Sequence, residues 1–242
     1  MGWQDDPIIA GRPKWESDPI VSPVASLSAD TIAAPMIDIR VGVPVPVIIP
    51  PSANPYSAGR YANNRIYTIG DEATYRVSDL LSGVEQRTYT RRVTRVNLDE
   101  DRVEFNNGRI ITDSMGNSIK TGTTEFAAPR QWNPAEFQVG KKWIAAFQGT
   151  ERGVTWNTVH NMQIVKRETI TVPAGTFDTF RIEGEGANIT LGIRGEMTRW
   201  LVPGLNCVVR DEQIRLNRNG TYSAAYKQEL ISVRQHIIDT KM

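Results

Sequence analysis

The chain has 242 residues, 40% of them hydrophobic and 23% charged, an ordinary globular composition that excludes a chain disordered throughout. Its 28 basic and 27 acidic residues leave a formal charge of +1, so no long-range field steers it toward nucleic acid or an anionic membrane. The single cysteine, Cys207, excludes an internal disulfide, and no run of about 18 apolar residues marks a membrane-spanning helix.

The first residues, Met1 to Asp6, lack a basic segment followed by an apolar one, so no export signal is read there. Ten of the 14 prolines fall in the first 55 residues. Each removes a backbone donor and fixes φ, which rules out a long helix or a central strand. Residues 1–64 are therefore expected to form an extended, proline-rich arm or linker. The stretch Val41 to Pro51 alternates valine or isoleucine with proline and is suited to lie along its own domain or a neighbouring subunit. An arm of this kind suggests a piece of a longer protein.

From Arg65 onward proline becomes scarce and a period of two appears. Strands are expected from Thr74 to Asp79, Gln86 to Val96, Arg102 to Phe105, Lys142 to Phe147, Val154 to Ile164, Phe177 to Glu183, Glu196 to Leu201, Cys207 to Asn217 and Tyr222 to Val233. The clearest is the fifth, where Val154, Trp156, Thr158, His160, Met162 and Ile164 share one parity. Asn107–Gly108 and Asn219–Gly220 read as two-residue type I′ hairpin turns. Val202–Pro203–Gly204–Leu205 suits a type II turn, and Val172–Pro173–Ala174–Gly175 a type I turn. One short helix is expected, with Asn133 as N-cap and Pro134 in its first position.

A faint internal echo links Tyr67–Thr68–Ile69–Gly70–Asp71, followed by Tyr75, to Phe137–Gln138–Val139–Gly140–Lys141, followed by Trp143. It divides the domain of residues 65–242 into two candidate halves, 65–136 and 137–242. The fold expected is mainly β, an antiparallel and partly open barrel or two related half-barrels.

The most specific segments are Val172–Pro173–Ala174–Gly175–Thr176–Phe177–Asp178 and Trp200–Leu201–Val202–Pro203–Gly204. Together they resemble the bacterial envelope β domains of the TapB-like and related groups, over roughly residues 66–235. That resemblance implies a partly open antiparallel barrel in an exported lipoprotein or part of a larger envelope protein, without an assigned enzymatic activity. Leu201 and Asn206 depart from its pattern, as does the missing export signal. A periplasmic or envelope location follows if the full-length protein is exported, and a cytoplasmic one otherwise. The arm plus β domain is also similar, more faintly, to the region after the protease domain in bacterial caspase-like proteins.

No catalytic pattern emerges from the residues. His160 and His236 are the only histidines and no ligand-spaced cluster accompanies them, so neither a metal nor a cofactor is expected. The acidic run Asn97 to Asp101 lacks the glycine and terminal glutamate of a calcium loop and reads as a solvated turn. Cys207 with His160 is the one conceivable nucleophile and base, but Cys207 precedes Val208 and Val209 and reads as a buried strand thiol. Arg87, Arg91 and Arg95 share a strand face with Tyr89 and Val93, which reads as a solvated face with cross-strand charge pairs. The functional expectation is a non-catalytic domain binding an apolar or peptide-like ligand, or a partner protein, through Trp143, Trp156 and Trp200. An assembly module whose arm docks on a neighbouring subunit is the alternative, and an enzyme using Cys207 the third.

Overall fold

The computed structural model describes residues 46–47 and 59–236. The rest of the proline-rich arm lies outside the described residues. Among the described residues fifteen strands are present: β1 (Pro46–Val47), β2 (Tyr61–Ala62), β3 (Glu72–Asp79), β4 (Glu85–Asn97), β5 (Arg102–Phe105), β6 (Ile110–Thr112), β7 (Ser118–Thr121), β8 (Thr124–Phe126), β9 (Glu136–Phe137), β10 (Lys142–Glu151), β11 (Val154–Val172), β12 (Gly175–Asn188), β13 (Ile193–Leu201), β14 (Val208–Leu216) and β15 (Tyr222–Arg234). All nine strands expected from the alternation are there, most of them longer than read.

Twelve of the strands form an antiparallel barrel. The hydrogen-bonded order β12-β11-β10-β8-β7-β6-β5-β4-β3-β15-β14-β13 closes on itself through the β12–β13 pair. The ring is uneven: β10 and β11 pair at ten positions, whereas β8 and β10 pair only at Gly149 with Phe126 and Thr150 with Glu125. The barrel is thus closed in order yet nearly open along that seam. β2 and β9 make a separate two-stranded sheet, and β1 pairs in parallel with Thr176–Phe177 of β12.

The β11–β12 hairpin carries the main irregularity. Ile164 pairs with Ile182 but Lys166 with Arg181, so Val165 is an extra residue that turns the outer part of the hairpin over. Met162, Ile164 and Ile182 before the bulge, and Phe180 just past it, pack with Phe137, Ala145, Met197 and Leu201. Beyond it, Val172, Ala174 and Phe177 leave the ring and pack against Ala73, Tyr75, Val209 and Leu230 of β3, β14 and β15. Ala174 N–H donates to the Leu230 carbonyl at 3.0 Å, fixing the tip there. Tyr67, Val93, Val103 and Phe105 make a third, smaller cluster.

The turns differ in their agreement with the sequence reading. Asn107 and Gly108, at φ 57° and 77°, occupy the centre of a tight turn closed by Arg109 N–H on the Asn106 carbonyl, the φ signs a type I′ turn needs. Pro203–Gly204 makes the expected type II turn, with Gly204 at φ 80° and Leu205 N–H on the Val202 carbonyl. Asn219–Gly220 does not form a type I′ turn. Of the two only Gly220 has positive φ, and its N–H closes on Asn217, so the loop turns at Arg218 and Asn219 and Gly220 forms the bulge that follows.

The expected helix at Asn133 is absent, and no helix occurs among the described residues. Pro134 and Ala135 instead present their carbonyls to Asn63, whose Nδ2 and backbone N–H donate to them at 2.8 Å each. The Asn133 side chain, needed to cap a helix, is engaged elsewhere, as described below.

The two echoed segments adopt the same turn. Asp71 N–H bonds the Thr68 carbonyl and Lys141 N–H bonds the Gln138 carbonyl. Gly70 and Gly140 donate to Val93 and Ile164 respectively, and those residues donate back to the Asp71 and Lys141 carbonyls. Tyr67 and Phe137 are buried while Ile69 and Val139 are exposed.

Close strand approach gives a test of this packing. A Cβ on Gly186 would lie 2.0 Å from the Val159 carbonyl oxygen, which belongs to the backbone of the neighbouring strand and cannot swing aside. Gly186→Ala should therefore lower the free energy of unfolding by about 1–3 kcal/mol in chemical denaturation. Gly195→Ala, whose Cβ would meet nothing nearer than 3.5 Å, should change it far less.

Candidate functional site

The barrel interior contains two adjoining cavities, of about 340 and 370 Å³, that share Thr121, Arg130, Trp132, Gln213 and Arg215 as lining. The outer one lies at the mouth formed by the ends of β7, β8, β10 and β12, where Thr121, Thr124, Glu151 and Asn188 sit. Alternation brings Thr158 and His160 of β11, Met197 of β13 and Gln213 and Arg215 of β14 to its wall, together with Phe126, Trp132, Phe147 and Trp156. Phe147 stacks on His160 with ring centroids 6.0 Å apart, and Trp132 meets both edge-on. This makes an aromatic chamber with a few polar atoms aimed into it.

The inner cavity has a different wall. Arg65, Arg87, Arg91, Arg130, Arg199 and Arg215 line it against one carboxylate, Asp211. Tyr89 and Tyr226 add hydroxyls, and Tyr89 donates to Gln228 Oε1 at 2.5 Å. Tyr89 and Arg91 are half-buried and line the lumen, correcting the reading of a solvated, charge-paired surface at those positions, whereas Arg87 is exposed as read. Arg95 fits that reading fully: after the irregularity in register between Val93 and Arg95 it lies outside, paired with Glu104 at 3.4 Å.

A buried polar chain spans the interior. Asp113 accepts from Asn117 N–H at 2.6 Å and from Asn117 Nδ2 at 3.0 Å; Asn117 Oδ1 accepts from Asn133 N–H at 2.7 Å. Asn133 Oδ1 accepts from Arg199 Nη1 at 2.7 Å, and Arg199 Nε lies 3.3 Å from Asp211. Asp211 accepts from Gln213 Nε2, and Gln213 Oε1 accepts from Arg215 at 3.0 Å. The chain ties the loops at 113–117 and 131–135 to β13 and β14. Asp113 and Asn117 give no sequence signal, because asparagine and aspartate there are equally typical of solvated turns.

The three tryptophans of the sequence reading lie in three places. Trp156 lines the mouth cavity. Trp143 donates its Nε1 to the Gln131 carbonyl at 2.7 Å and borders a separate surface depression with Met162 and Arg181. Trp200 is buried in the core near the hairpin tip, donating to Glu168 Oε1 at 3.0 Å with Arg210 and Arg181 over its ring. Trp132, which the sequence reading passed over, lines both cavities.

Burial, together with the charges of Arg130 and Arg215, lowers the His160 pKa to about 4, so the imidazole is neutral at neutral pH. Burial pushes the Cys207 thiol up to about 12. Cys207 packs with Tyr75 and Val209 at the closed end while His160 lies at the mouth, which leaves the thiol without an activating base. Among the described residues no cluster of three or more metal-ligating side chains occurs.

Two measurements check these environments. Between pH 6.5, the ordinary histidine value, and about 4, the unfolded chain binds a proton at His160 that the folded chain does not. Stability should fall across that window by about 2–3 kcal/mol, and His160→Gln should flatten that part of the pH profile. Cys207 should resist iodoacetamide at neutral pH in the folded protein and react once the protein is unfolded in denaturant. Rapid labelling of the native protein would place the thiol outside the core.

Comparison with known proteins adds a family match. A model described as DUF3108-like matches residues 148–226, a span that contains both the Val172–Asp178 turn and the Trp200–Gly204 strand end. This match, rather than a TapB-like or caspase-like one, is what the comparisons show. No curated protein matches the chain. Among solved structures the chain is similar to a Bacteroides fragilis NCTC 9343 protein with a YmcC-like fold, at 15% identity and a TM-score of 0.46, over 72% of this chain and 100% of that one. It is also similar to the hypothetical lipoprotein YmcC from Escherichia coli K12, at 9% identity and a TM-score of 0.40, over 68% of this chain and 85% of that one.

Proposed function

We propose that the barrel is a non-catalytic binding module and that its lumen takes a small molecule with an apolar body. The observation that carries this reading is the mouth cavity. Its volume of about 340 Å³ is of ligand size, and Phe126, Trp132, Phe147, Trp156 and Met197 supply apolar wall. Trp132 Nε1, His160 Nδ1 and Arg130 Nε are buried there without a hydrogen-bond partner among the described residues. Orphaned polar atoms beside apolar rings suit a ligand that brings its own polar group. Trp156 is the member of the proposed Trp143, Trp156 and Trp200 set that this reading uses.

In this reading the domain works in the cell envelope as part of a longer protein, supported by the resemblance of its two turn motifs; fractionation of the full-length protein is the check. The parallel pairing of Pro46–Val47 with β12 supports an arm that rests on its own domain, in preference to one docked on a neighbouring subunit.

Ligand binding at the mouth should quench the fluorescence of Trp132 and Trp156 and raise the melting temperature. Trp156→Phe should remove part of the quenching while leaving the thermal shift largely in place. A panel of apolar and amphipathic small molecules and short peptides that produces neither signal overturns the reading.

A further inference from the structure

We infer that the ligand of this lumen is an amphiphilic acid, its apolar body in the aromatic mouth and its carboxylate or phosphate head among the arginines of the inner cavity. The inference rests on the binding reading above and specifies the chemistry of what is bound.

The first argument is charge distribution. The whole chain carries a formal charge of only +1, yet six arginines face one carboxylate around the inner cavity. Asp211 is already engaged, by Arg199 at 3.3 Å and by Gln213 at 3.2 Å. Elsewhere on the barrel several arginines have acidic partners, as in Arg76 with Glu229, Arg95 with Glu104, Arg167 with Asp178 and Arg210 with Glu212. Arg65, Arg91, Arg130 and Arg215 form no ion pair with any carboxylate among the described residues. Arg199 is buried and Arg65, Arg91 and Arg130 are half-buried, so their mutual repulsion is screened less than at the surface, while Arg87 and Arg215 stand at the exposed rim.

The second argument is the geometry of Arg130, which stands where the cavities meet. Its guanidinium lies 3.8 Å from the Trp132 ring centroid and 4.6 Å from that of Phe126. Its Nη2 donates to Ser118 Oγ at 3.1 Å, while Nε has no partner among the described residues. A guanidinium held over aromatic rings retains in-plane donors, the arrangement that receives a planar carboxylate or a phosphate edge. Burial and the nearby Arg199 charge depress the Arg130 pKa, and since an arginine side chain keeps its proton in proteins, the site holds a cation that a bound anion would stabilise. Arg215, which lines both cavities and hydrogen-bonds Gln213, supplies a second donor at the same junction.

The third argument is the order of the walls. The lining changes from Phe147 and Trp156 in the mouth cavity, through Arg130 and Arg215, which belong to both, to Arg65, Arg91 and Arg199 in the other. A ligand with an apolar tail and an acidic head matches that gradient in one orientation. A neutral ligand of the same shape would leave the guanidinium donors unmatched.

The test compares probes that share a ten-carbon chain: decanoate, decyl phosphate, 1-decanol and decyltrimethylammonium, titrated into the wild-type protein by tryptophan fluorescence and calorimetry. Tighter binding of decanoate or decyl phosphate than of decanol, by about ten-fold or more, is expected, with the ammonium weakest. The better of the two acids identifies the head group. Arg130→Met and Arg215→Met should each bring the acid's affinity toward that of decanol while leaving decanol unchanged. The wild-type comparison stands even if a variant does not fold. Equal binding of acid and alcohol overturns the acidic ligand while leaving the binding module intact. No binding of any probe, acids included, overturns both.

Discussion

A ring of twelve antiparallel strands is wider than side chains alone can fill, and this constraint governs the rest of the molecule. About eight strands enclose an interior that inward side chains just close. With four more, the chain must supply additional material or leave space. At one end it supplies the tip of the β11–β12 hairpin, turned over by the bulge at Val165 so that Val172, Ala174 and Phe177 meet β3, β14 and β15. In the middle it supplies the loops around Asn117 and Asn133. What is left is the pair of cavities.

Filling a barrel with loops brings backbone and polar side chains inside, and these must find partners because unpaired polar groups in a dry interior are costly. The run from Asp113 through Asn117, Asn133 and Arg199 to Asp211 answers that requirement, each member holding the next. Such a network positions Arg199 and the floor of the lumen more rigidly than apolar packing alone would, since each hydrogen bond has a direction. The closed end needs no such network: Phe177, Leu205 and Leu230 meet there with almost no exposed surface.

The ring was largely legible in the sequence, because long half-buried strands advertise themselves by alternation, as Val154 to Ile164 does. The short strands β6 to β9 were not, being two to four residues long with no room for a period to show. The interior was harder still. Alternation tells which residues share a face but not which face looks inward when both carry charge. Arg87 and Arg91 thus read like solvated arginines, although Arg91 lies 4.4 Å from the Phe105 ring and lines the lumen. Asn133 misled for a related reason: the side-chain oxygen that would accept from a helix N-terminus accepts from Arg199. Trp200 stands by a turn motif and was read as a cavity wall. Its position on β13 places it opposite Arg210, in the core beside the hairpin tip.

The bulge at Val165 has an effect beyond geometry. One hairpin lends Met162, Ile164, Phe180 and Ile182 to one apolar cluster and Val172, Ala174 and Phe177 to another. The hairpin cannot leave without disrupting both clusters. Melting of the two is thereby coupled through a single covalent ribbon, which favours an all-or-none loss of structure over piecewise fraying.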